Sequence, residues 1–401
     1  NIDLSTKKFS DLELDLIISF DCTDTFMLLK DLTIKGGLFY SGNPHSSRKV
    51  RPIAFEEVLL KKYKTSFSIV HAKTNNDFEL IFLGSFLTSF YFLSNQANLF
   101  SRRNYYLKRC ISQFMDGVDF NNKPFRKSVS EIPTFKDQIR YACGVISSYF
   151  RLLYKRFSGK RIFWEVYFSK SHWKEFDISG ANLINTPANQ YIADPFVFKY
   201  ENLNICFVEN FDYHKQKGHI SAYELKDNGA VDLGCVIEEP FHMSFPYVFK
   251  FEEKIYLLPE TSQNNDIRLY ECISFPDRWR LKRVLMRNVS AADSLIFEYN
   301  EIWWLFSNIN PNDSSDHCSE LSIYWSMNPL EDTWIPHLQN PVIVDPGIAR
   351  NGGIFQDKDK IYRVSQKQGF GEYGVGFEIN EIISLSPKEY FEKKSLKTFN
   401  Q

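Results

Sequence analysis

The sequence predicts two folds in succession: an α/β domain over residues 1–128, then, beyond a basic helical linker over 129–160, an all-β propeller of five blades over 161–401. Three observations carry that reading. A short phrase recurs four times, as Ala193-Asp194-Pro195-Phe196-Val197-Phe198, Phe245-Pro246-Tyr247-Val248-Phe249, Asp293-Ser294-Leu295-Ile296-Phe297 and Gly352-Gly353-Ile354-Phe355. The copies start roughly 50 residues apart, the period of four-stranded blades rather than of helical repeats. Aromatic residues are abundant, with 37 Phe, 21 Tyr and 7 Trp, which favours pleated, half-buried surfaces.

The first stretch mixes strand and helix signals. Leu14 to Phe20 is a short apolar run suited to a buried parallel strand, and Gly36 to Ser41 is a second, entered through glycines. Pro52 to Lys62 reads as a helix with proline near its start. Ser66 to Lys73 and Phe78 to Phe86 read as paired strands, and Asn95 to Met115 as a helix with a basic face of Arg102, Arg103, Lys108 and Arg109. The opening βαβ units of such a domain are not seen, and a start at Asn1 without methionine leaves room for an upstream segment.

In the linker, Ile139, Ala142, Val145, Ile146, Tyr149, Phe150 and Leu153 fall at helical spacing. Between Asp137 and Glu165 there are six Lys or Arg and no acid. Two readings stay open: an interfacial helix on an anionic membrane, touching it through 135–161, or an amphipathic connector packed between the domains.

In the propeller, each copy of the phrase is followed by a second apolar run: Leu203 to Val208, Lys254 to Leu258, Glu301 to Phe306 and Lys360 to Val364. An early strand, Arg161 to Ser169, is expected to complete a fifth blade with C-terminal strands such as Gly376 to Ile383, a closure that removes free edges. Trp303-Trp304 places one ring on each face of its strand, so at least one belongs to the core.

Composition narrows the function classes. A net charge of −1 gives no field for nucleic acid. Seven scattered cysteines without a CxxC or Cys/His cluster indicate neither a disulfide framework nor a zinc site, so a reducing cytoplasm is the simplest setting. No signal peptide is visible, and no apolar run reaches the ~20 residues a bilayer span needs.

Several phrases taken together resemble the N-terminal domain of plant glucosamine inositolphosphorylceramide transferases and its bacterial relatives, over about residues 161 to 395. They are Ala193-Asp194-Pro195-Phe196, Phe207-Val208-Glu209, Lys217-Gly218-His219-Ile220, Phe241-His242-Met243-Ser244-Phe245-Pro246, Leu258-Pro259-Glu260, Ile267-Arg268-Leu269-Tyr270 and Trp303-Trp304-Leu305-Phe306. Arg350-Asn351-Gly352-Gly353, Tyr362-Arg363-Val364-Ser365-Gln366 and Tyr373-Gly374 complete the set. More distantly the region is similar to five-bladed furanosidase-type glycoside hydrolases, whose first blade also carries an Ala-Asp-Pro aspartate.

The first domain resembles the later half of a formyltransferase-type, Rossmann-like fold over roughly 14 to 120. The resemblance rests on Asp15-Leu16-Ile17-Ile18, Gly37-Leu38-Phe39, Pro52 to Leu59 and Asn75 to Thr88. Aligned on the strand at Gly37, that family's Asn-x-His positions fall on Tyr40 and Gly42, and its aspartate on Asn76, which cannot act as a base. A shifted register would use Asn43-Pro44-His45-Ser46 with Asp77. The domain is therefore expected to be inactive as a formyltransferase, with no folate cofactor.

A propeller gathers equivalent positions around one axis, which nominates a pocket. Asp194, before a proline, Glu260, after Pro259 at the end of an apolar strand, and Asp293, opening the third repeat, are the candidate catalytic carboxylates. Each has a plainer alternative, a turn cap or a structural pair. Glu209, His242, Ser244, Arg350, Asn351, Gln366 and Tyr373 are the candidate substrate-binding groups, with Arg350 able to pair with the acids or to grip a phosphate. No metal site stands out. Such acids fit glycosyl transfer, where one deprotonates the acceptor, or glycoside hydrolysis, where a pair flanks the scissile bond.

The expectation is thus a cytoplasmic or inner-leaflet protein of bacterial cell-surface glycan assembly, covering O-antigen, capsule or glycolipid. Its propeller is expected to transfer a glycosyl or related group from a nucleotide-sugar or lipid-phosphate-linked donor to a glycan or glycolipid. The alternatives are a non-catalytic glycan-binding propeller that recruits an enzyme, and a glycoside hydrolase-like enzyme.

Overall fold

The computed structural model describes residues 14–19, 24–31, 33–41, 52–73, 77–115, 123–124, 133–158, 163–310 and 316–400. Gly42, Asn43, His45 and Asn76, on which the formyltransferase registers turn, lie outside the described residues. The chain divides into two compact units, Asn1–Ser158 and Gly159–Gln401, so the linker helix falls within the first.

The first unit carries a sheet in sequence order: β1 (Ile17–Ser19), β2 (Gly37–Ser41), β3 (Lys64–Ala72), β4 (Phe78–Leu87) and β5 (Lys123–Pro124). β1 and β2 are parallel, and the remaining pairs antiparallel. Helix α1 (Asp24–Lys30) joins the parallel pair and lays Phe26 on Phe39, ring centroids 5.4 Å apart. Gly37 makes this possible, because a Cβ there would lie 2.5 Å from the Phe26 ring. α2 (Phe55–Leu59) is shorter than expected. α3 (Phe92–Met115) starts three residues before the expected Asn95 and stacks Tyr106 on Phe82 of β4 at 4.4 Å. Buried Asn95 ties the layers by donating to the Ala54 carbonyl and the Thr65 hydroxyl. α4 (Phe135–Phe157) opens on a capping box between Thr134 and Asp137 and docks through Tyr141, whose ring lies 5.3 Å from that of Phe55. Among the described residues no helix is long and apolar enough to cross a membrane.

The second unit is almost wholly β-structure. Its first sheet is β8 (Gln190–Tyr200), β9 (Leu203–Asp212), β10 (Lys217–Lys226) and β11 (Gly229–Ile237). The second is β12 (Ser244–Phe251), β13 (Lys254–Glu260), β14 (Asp266–Ser274) and β15 (Arg278–Arg287). The third is β16 (Ala291–Tyr299), β17 (Ile302–Ile309), β18 (Glu320–Ser326) and β19 (Ile335–Pro336), with β20 (Ile343–Val344) also paired to β18. The fourth is β21 (Asn351–Asp357), β22 (Lys360–Gly369), β23 (Glu372–Leu385) and β24 (Tyr390–Asn400). All are antiparallel meanders. The tight turns after β12 and β16 place both Glu252 and Glu253, and both Asn300 and Glu301, at positive φ, the twist that matches a two-residue hairpin.

The four leading strands are neighbours. Phe196 of β8 packs on Phe245 of β12 at 4.7 Å, and Phe245 and Leu295 of β16 share one core. Asn351 of β21 donates its side-chain amide to the Asp293 carbonyl at 2.8 Å, and a Cβ on Gly353 would sit 3.9 Å from Phe196. Separate apolar layers fill the spaces between successive sheets. Trp303 belongs to the layer shared by the second and third sheets, whereas Trp304 lies in the central cluster, so both tryptophans are core.

The expected closure is different. Among the described residues the early segment forms one strand, β6 (Tyr167–Phe168), which pairs with β7 (Asn182–Leu183) and not with C-terminal strands. Gly376 to Ile383 lies inside β23, between β22 and β24. The fourth repeat consumes both C-terminal strands itself, so the described residues form four full sheets and a two-stranded hairpin.

Trp304 is 1% exposed, and its indole N–H donates to the Tyr299 carbonyl at 3.2 Å. Trp304→Ala should cost about 3–5 kcal/mol of stability. Denaturant unfolding followed by near-UV circular dichroism measures it.

Candidate functional site

The leading strand of every sheet breaks its ladder at the same place. Ala193 pairs with Glu209 but Phe196 with Phe207; Ser244 with Glu260 but Tyr247 with Leu258; Ala292 with Asn308 but Leu295 with Phe306. In the fourth sheet Asn351 pairs with Ser365 and Gly353 with Val364. Each break is a β-bulge with one residue too many on the leading strand. Asp194, Phe245 and Asp293 sit in these bulges at φ of 49°, 48° and 47°, the left-handed region that costs a non-glycine residue about 1–2 kcal/mol.

This frame corrects one expectation. Asp194 and Asp293 are equivalent, but Glu260 is not their counterpart: it stands on β13 where Glu209 stands on β9, and Phe245 fills the bulge of the second sheet. Ser244 is buried opposite Glu260 in that ladder. The third-sheet counterpart of Glu209 and Glu260 is Asn308, which the sequence reading passed over. Superposing the four repeats residue by residue would have found it.

The bulges are tied sheet to sheet. The Phe245 N–H donates to Asp194 Oδ2 at 3.3 Å, the Asp293 N–H to Glu260 Oε2 at 3.4 Å, and the Asn351 N–H to Asn308 Oδ1 at 2.8 Å. In each case a polar side chain of one sheet accepts the bulge amide of the next.

Arg350 enters from the start of the fourth sheet. Its Nη2 donates to Asp293 Oδ1 at 3.1 Å, its Nε to Asp293 Oδ2, and Nη2 also lies 3.7 Å from Glu260 Oε2. The guanidinium is thus engaged by carboxylates, one of the two uses foreseen for it, and lies 5.7 Å from the centre of the Tyr373 ring. Gln366 donates to Asp293 Oδ2 at 3.2 Å and to the Asn351 carbonyl at 2.8 Å. The Ser262 hydroxyl donates to Glu260 Oε1 at 2.6 Å. His317, also overlooked in the sequence, contacts the Ser290 hydroxyl at 2.9 Å; an isolated histidine after a polar loop carries no signal of its own.

Glu209 occupies a separate corner. Tyr191 OH donates to its Oε1 at 3.4 Å, and His242 Nε2 lies 3.6 Å from the same oxygen. His242 Nδ1 accepts the Gly218 N–H at 2.9 Å, which leaves the proton of the neutral ring on Nε2, towards Glu209. A side chain at Gly218 would collide with this corner, its Cβ lying 2.7 Å from the imidazole and 3.0 Å from Glu209 Oε1.

The environments pull the acids apart. Burial, with Glu260 nearby, pushes Asp194 up to about 6, against the opposing pull of Arg350 and the Phe245 amide. Burial and the negative charges of Asp194 and Glu260 hold Glu209 well above the usual carboxylate range. Burial alone would raise Glu260 too, but Arg350, the Ser262 hydroxyl and a hydrogen bond with the Asp293 side chain bring it below its ordinary value. Asp293 is raised by burial and drawn back by Arg350, while Asp293 and Glu260 keep the guanidinium well above its own ordinary value. Burial lowers His242 and His317, which favours neutral rings. Among the described residues no group of three or more His, Cys, Asp or Glu is disposed to hold a metal ion.

Two outcomes follow from this geometry. Asp194, with its raised pKa, favours folding below the unfolded value near 4, and that contribution is lost as pH rises through about 6. Asp194→Asn should therefore be more stable than the natural chain above pH 6, by up to roughly 3 kcal/mol, and nearly equal to it at pH 4. Thermal unfolding at the two pH values measures this. Arg350→Met leaves two buried carboxylates without their cation and should cost about 3–5 kcal/mol, read from denaturant midpoints.

Residues 178–401, more than half of the chain, match the family described as glucosamine inositolphosphorylceramide transferase 1, N-terminal. The chain is 34% identical over 211 residues to glucosamine inositolphosphorylceramide transferase 1 of Oryza sativa subsp. japonica, covering 51% of this chain and 28% of that protein. The Arabidopsis thaliana protein of the same name is 33% identical over 211 residues, covering 51% of this chain and 27% of its own length. The chain thus spans little more than a quarter of these curated relatives. Similar solved structures include a family 117 glycoside hydrolase of Zobellia galactanivorans, with TM-score 0.40 and 12% identity over 52% of this chain and 70% of that one. A Bombyx mori family 32 beta-fructofuranosidase has TM-score 0.43 and 12% identity over 54% and 53% of the two chains.

Proposed function

Since the chain belongs to the glucosamine inositolphosphorylceramide transferase N-terminal family, we propose that the acid cluster of its second unit handles the sugar portion of a glycan or glycolipid and transfers a glycosyl or related group. The observation that carries this reading is the division of the carboxyls: Glu260 drawn below its ordinary range, Asp194 raised to about 6 and Glu209 raised well above its ordinary range. Environments that separate carboxyl pKa values in this way allot acid and base roles within one site.

In this reading the acceptor hydroxyl gives its proton to the Asp194 carboxylate as its oxygen bonds to the anomeric carbon. The bond to the leaving oxygen breaks, and that oxygen takes the proton of Glu209. His242 and Tyr191 hold Glu209 in place, and Arg350 fixes Asp293 and Glu260. In this reading Arg350 is not the donor-phosphate site, because its Nε and Nη2 already donate to Asp293 and its charge lies beside Glu260. The setting in cell-surface glycan assembly is part of the proposal and rests on the sequence resemblance.

A second reading has an observation in its favour. The chain covers 28% of the rice relative, so the transfer chemistry of the longer proteins can lie outside the matched region, leaving this unit to bind glycan for it. We also read the second unit as a propeller with the β6–β7 hairpin in the fifth blade's place. The support is local: Trp173 packs on Phe355 of the fourth sheet at 5.4 Å, and Phe163 on Tyr213 beyond the first at 5.9 Å. For the first unit, the parallel β1–β2 pair joined by α1 supports an inactive formyltransferase-like scaffold.

The test is to incubate the chain with nucleotide-sugar donors and inositolphosphorylceramide, following product by mass spectrometry. Transfer should be seen, Asp194→Asn should lower turnover by ~100-fold or more, and the acid limb of the rate profile should fall near pH 6. Glycolipid binding that Asp194→Asn weakens, without turnover for any donor, would establish the binding reading. Neither binding nor turnover would discard both.

A further inference from the structure

We propose that α4 is a membrane-surface anchor that lies along an anionic bilayer with its apolar stripe in the headgroup boundary. The helix has 23 residues and so runs for about 35 Å. Phe135, Ile139, Ile146, Tyr149, Phe150 and Phe157 are each between 51% and 81% exposed. At 100° per residue these six fall within an arc of about 100°, a single stripe along the whole length of the helix.

The stripe faces away from the side that is docked. Tyr141 packs on Phe55, and its hydroxyl accepts the Phe92 N–H at 3.0 Å, while Asp137, Gly144 and Ser148 on the same side are half-buried. A helix whose only task is to pack on its own unit turns its large apolar residues inward. Apart from Tyr141, α4 turns small and polar residues inward and its rings outward, the arrangement of a helix with a second apolar surface to meet.

The charges say which surface. Lys136, Arg140 and Arg151 are exposed on one flank of the helix, about 40–100° round from the nearest edge of the stripe. The one acid of the helix, Asp137, is spent on the capping box with Thr134. The sequence then has no acid until Glu165, while Lys155, Arg156, Lys160 and Arg161 add to the basic count. Rings on one face with lysines and arginines beside them suit the boundary of an anionic leaflet, where the rings enter and the cations meet phosphate. The helix does not meet the requirement for crossing.

This inference is independent of the chemistry proposed for the acid cluster, and its test does not use that activity. The full chain is floated with phosphatidylcholine vesicles, with and without phosphatidylserine, at low and high salt. It should rise with the phosphatidylserine vesicles and lose binding as salt is added. Ile146→Asp with Phe150→Asp should abolish flotation, and Arg140→Glu with Arg151→Glu should weaken it about tenfold or more, both with unchanged circular dichroism. A tryptophan placed by Tyr149→Trp should shift its emission to the blue on adding vesicles, which reports the stripe itself. Flotation indifferent to phosphatidylserine, or a concentration-dependent dimer abolished by the Ile146→Asp, Phe150→Asp change, would overturn the proposal.

Discussion

The extra residue in the leading strand of each sheet is the constraint from which the centre of the second unit follows. A regular strand would place residues 193 and 195 on one face and 194 on the other. The bulge instead pairs Ala193 and Phe196 with residues only two apart on β9 and turns Asp194 out of the pleat. A bulge also leaves an amide without its ladder partner, and a buried donor left unsatisfied costs about 1–3 kcal/mol. Asp194, Glu260 and Asn308 supply the missing acceptors from the neighbouring sheet. The acids of the cluster thus complete the backbone of the sheet beside them as well as carrying charge, and part of their hydrogen-bonding capacity is committed before any ligand arrives.

That commitment is uneven. Arg350 takes both oxygens of Asp293 and leans on Glu260, so the positive charge lies towards the third and fourth sheets. Asp194 and Glu209, in the first sheet, have no cation of comparable proximity among the described residues; burial raises both, as it raises Asp293 despite Arg350. The first-sheet side therefore carries two carboxyls held above their ordinary range.

Much of this was legible in the sequence because the repeated phrase marks the bulged strand itself: Asp194-Pro195, Phe245-Pro246, Asp293-Ser294 and Gly352-Gly353 all fall on the break. The number of residues across the break was not legible. Without that register Glu260 was matched to the aspartates although it stands one strand further out. Asn308 went unnoticed because an amide at a strand end resembles any other polar terminus. The C-terminal strands were assigned to a shared blade because sequence period alone does not say where the last repeat stops. For α4, apolar spacing is the same for a buried helix and a surface one, and only the exposure of its rings separates the two.

The four bulges also show which side chains are present for use. In the fourth sheet the bulge residue is Gly352, and the positive φ there falls on the next residue, Gly353, at 143°. The first three sheets accept the strain of a side chain instead. Phe245 returns it in packing, being 1% exposed and set against Phe196 in the central cluster. Asp194 and Asp293 return nothing of that kind: each is a buried acid whose burial raises its pKa, and each occupies a backbone conformation that glycine would adopt without cost. Glycine at either position would relieve the strain but would leave the Phe245 amide without the Asp194 carboxylate and Arg350 without Asp293. The strain and burial at Asp194 and Asp293 are thus borne by residues that also hold the backbone of the next sheet and the Arg350 guanidinium in place.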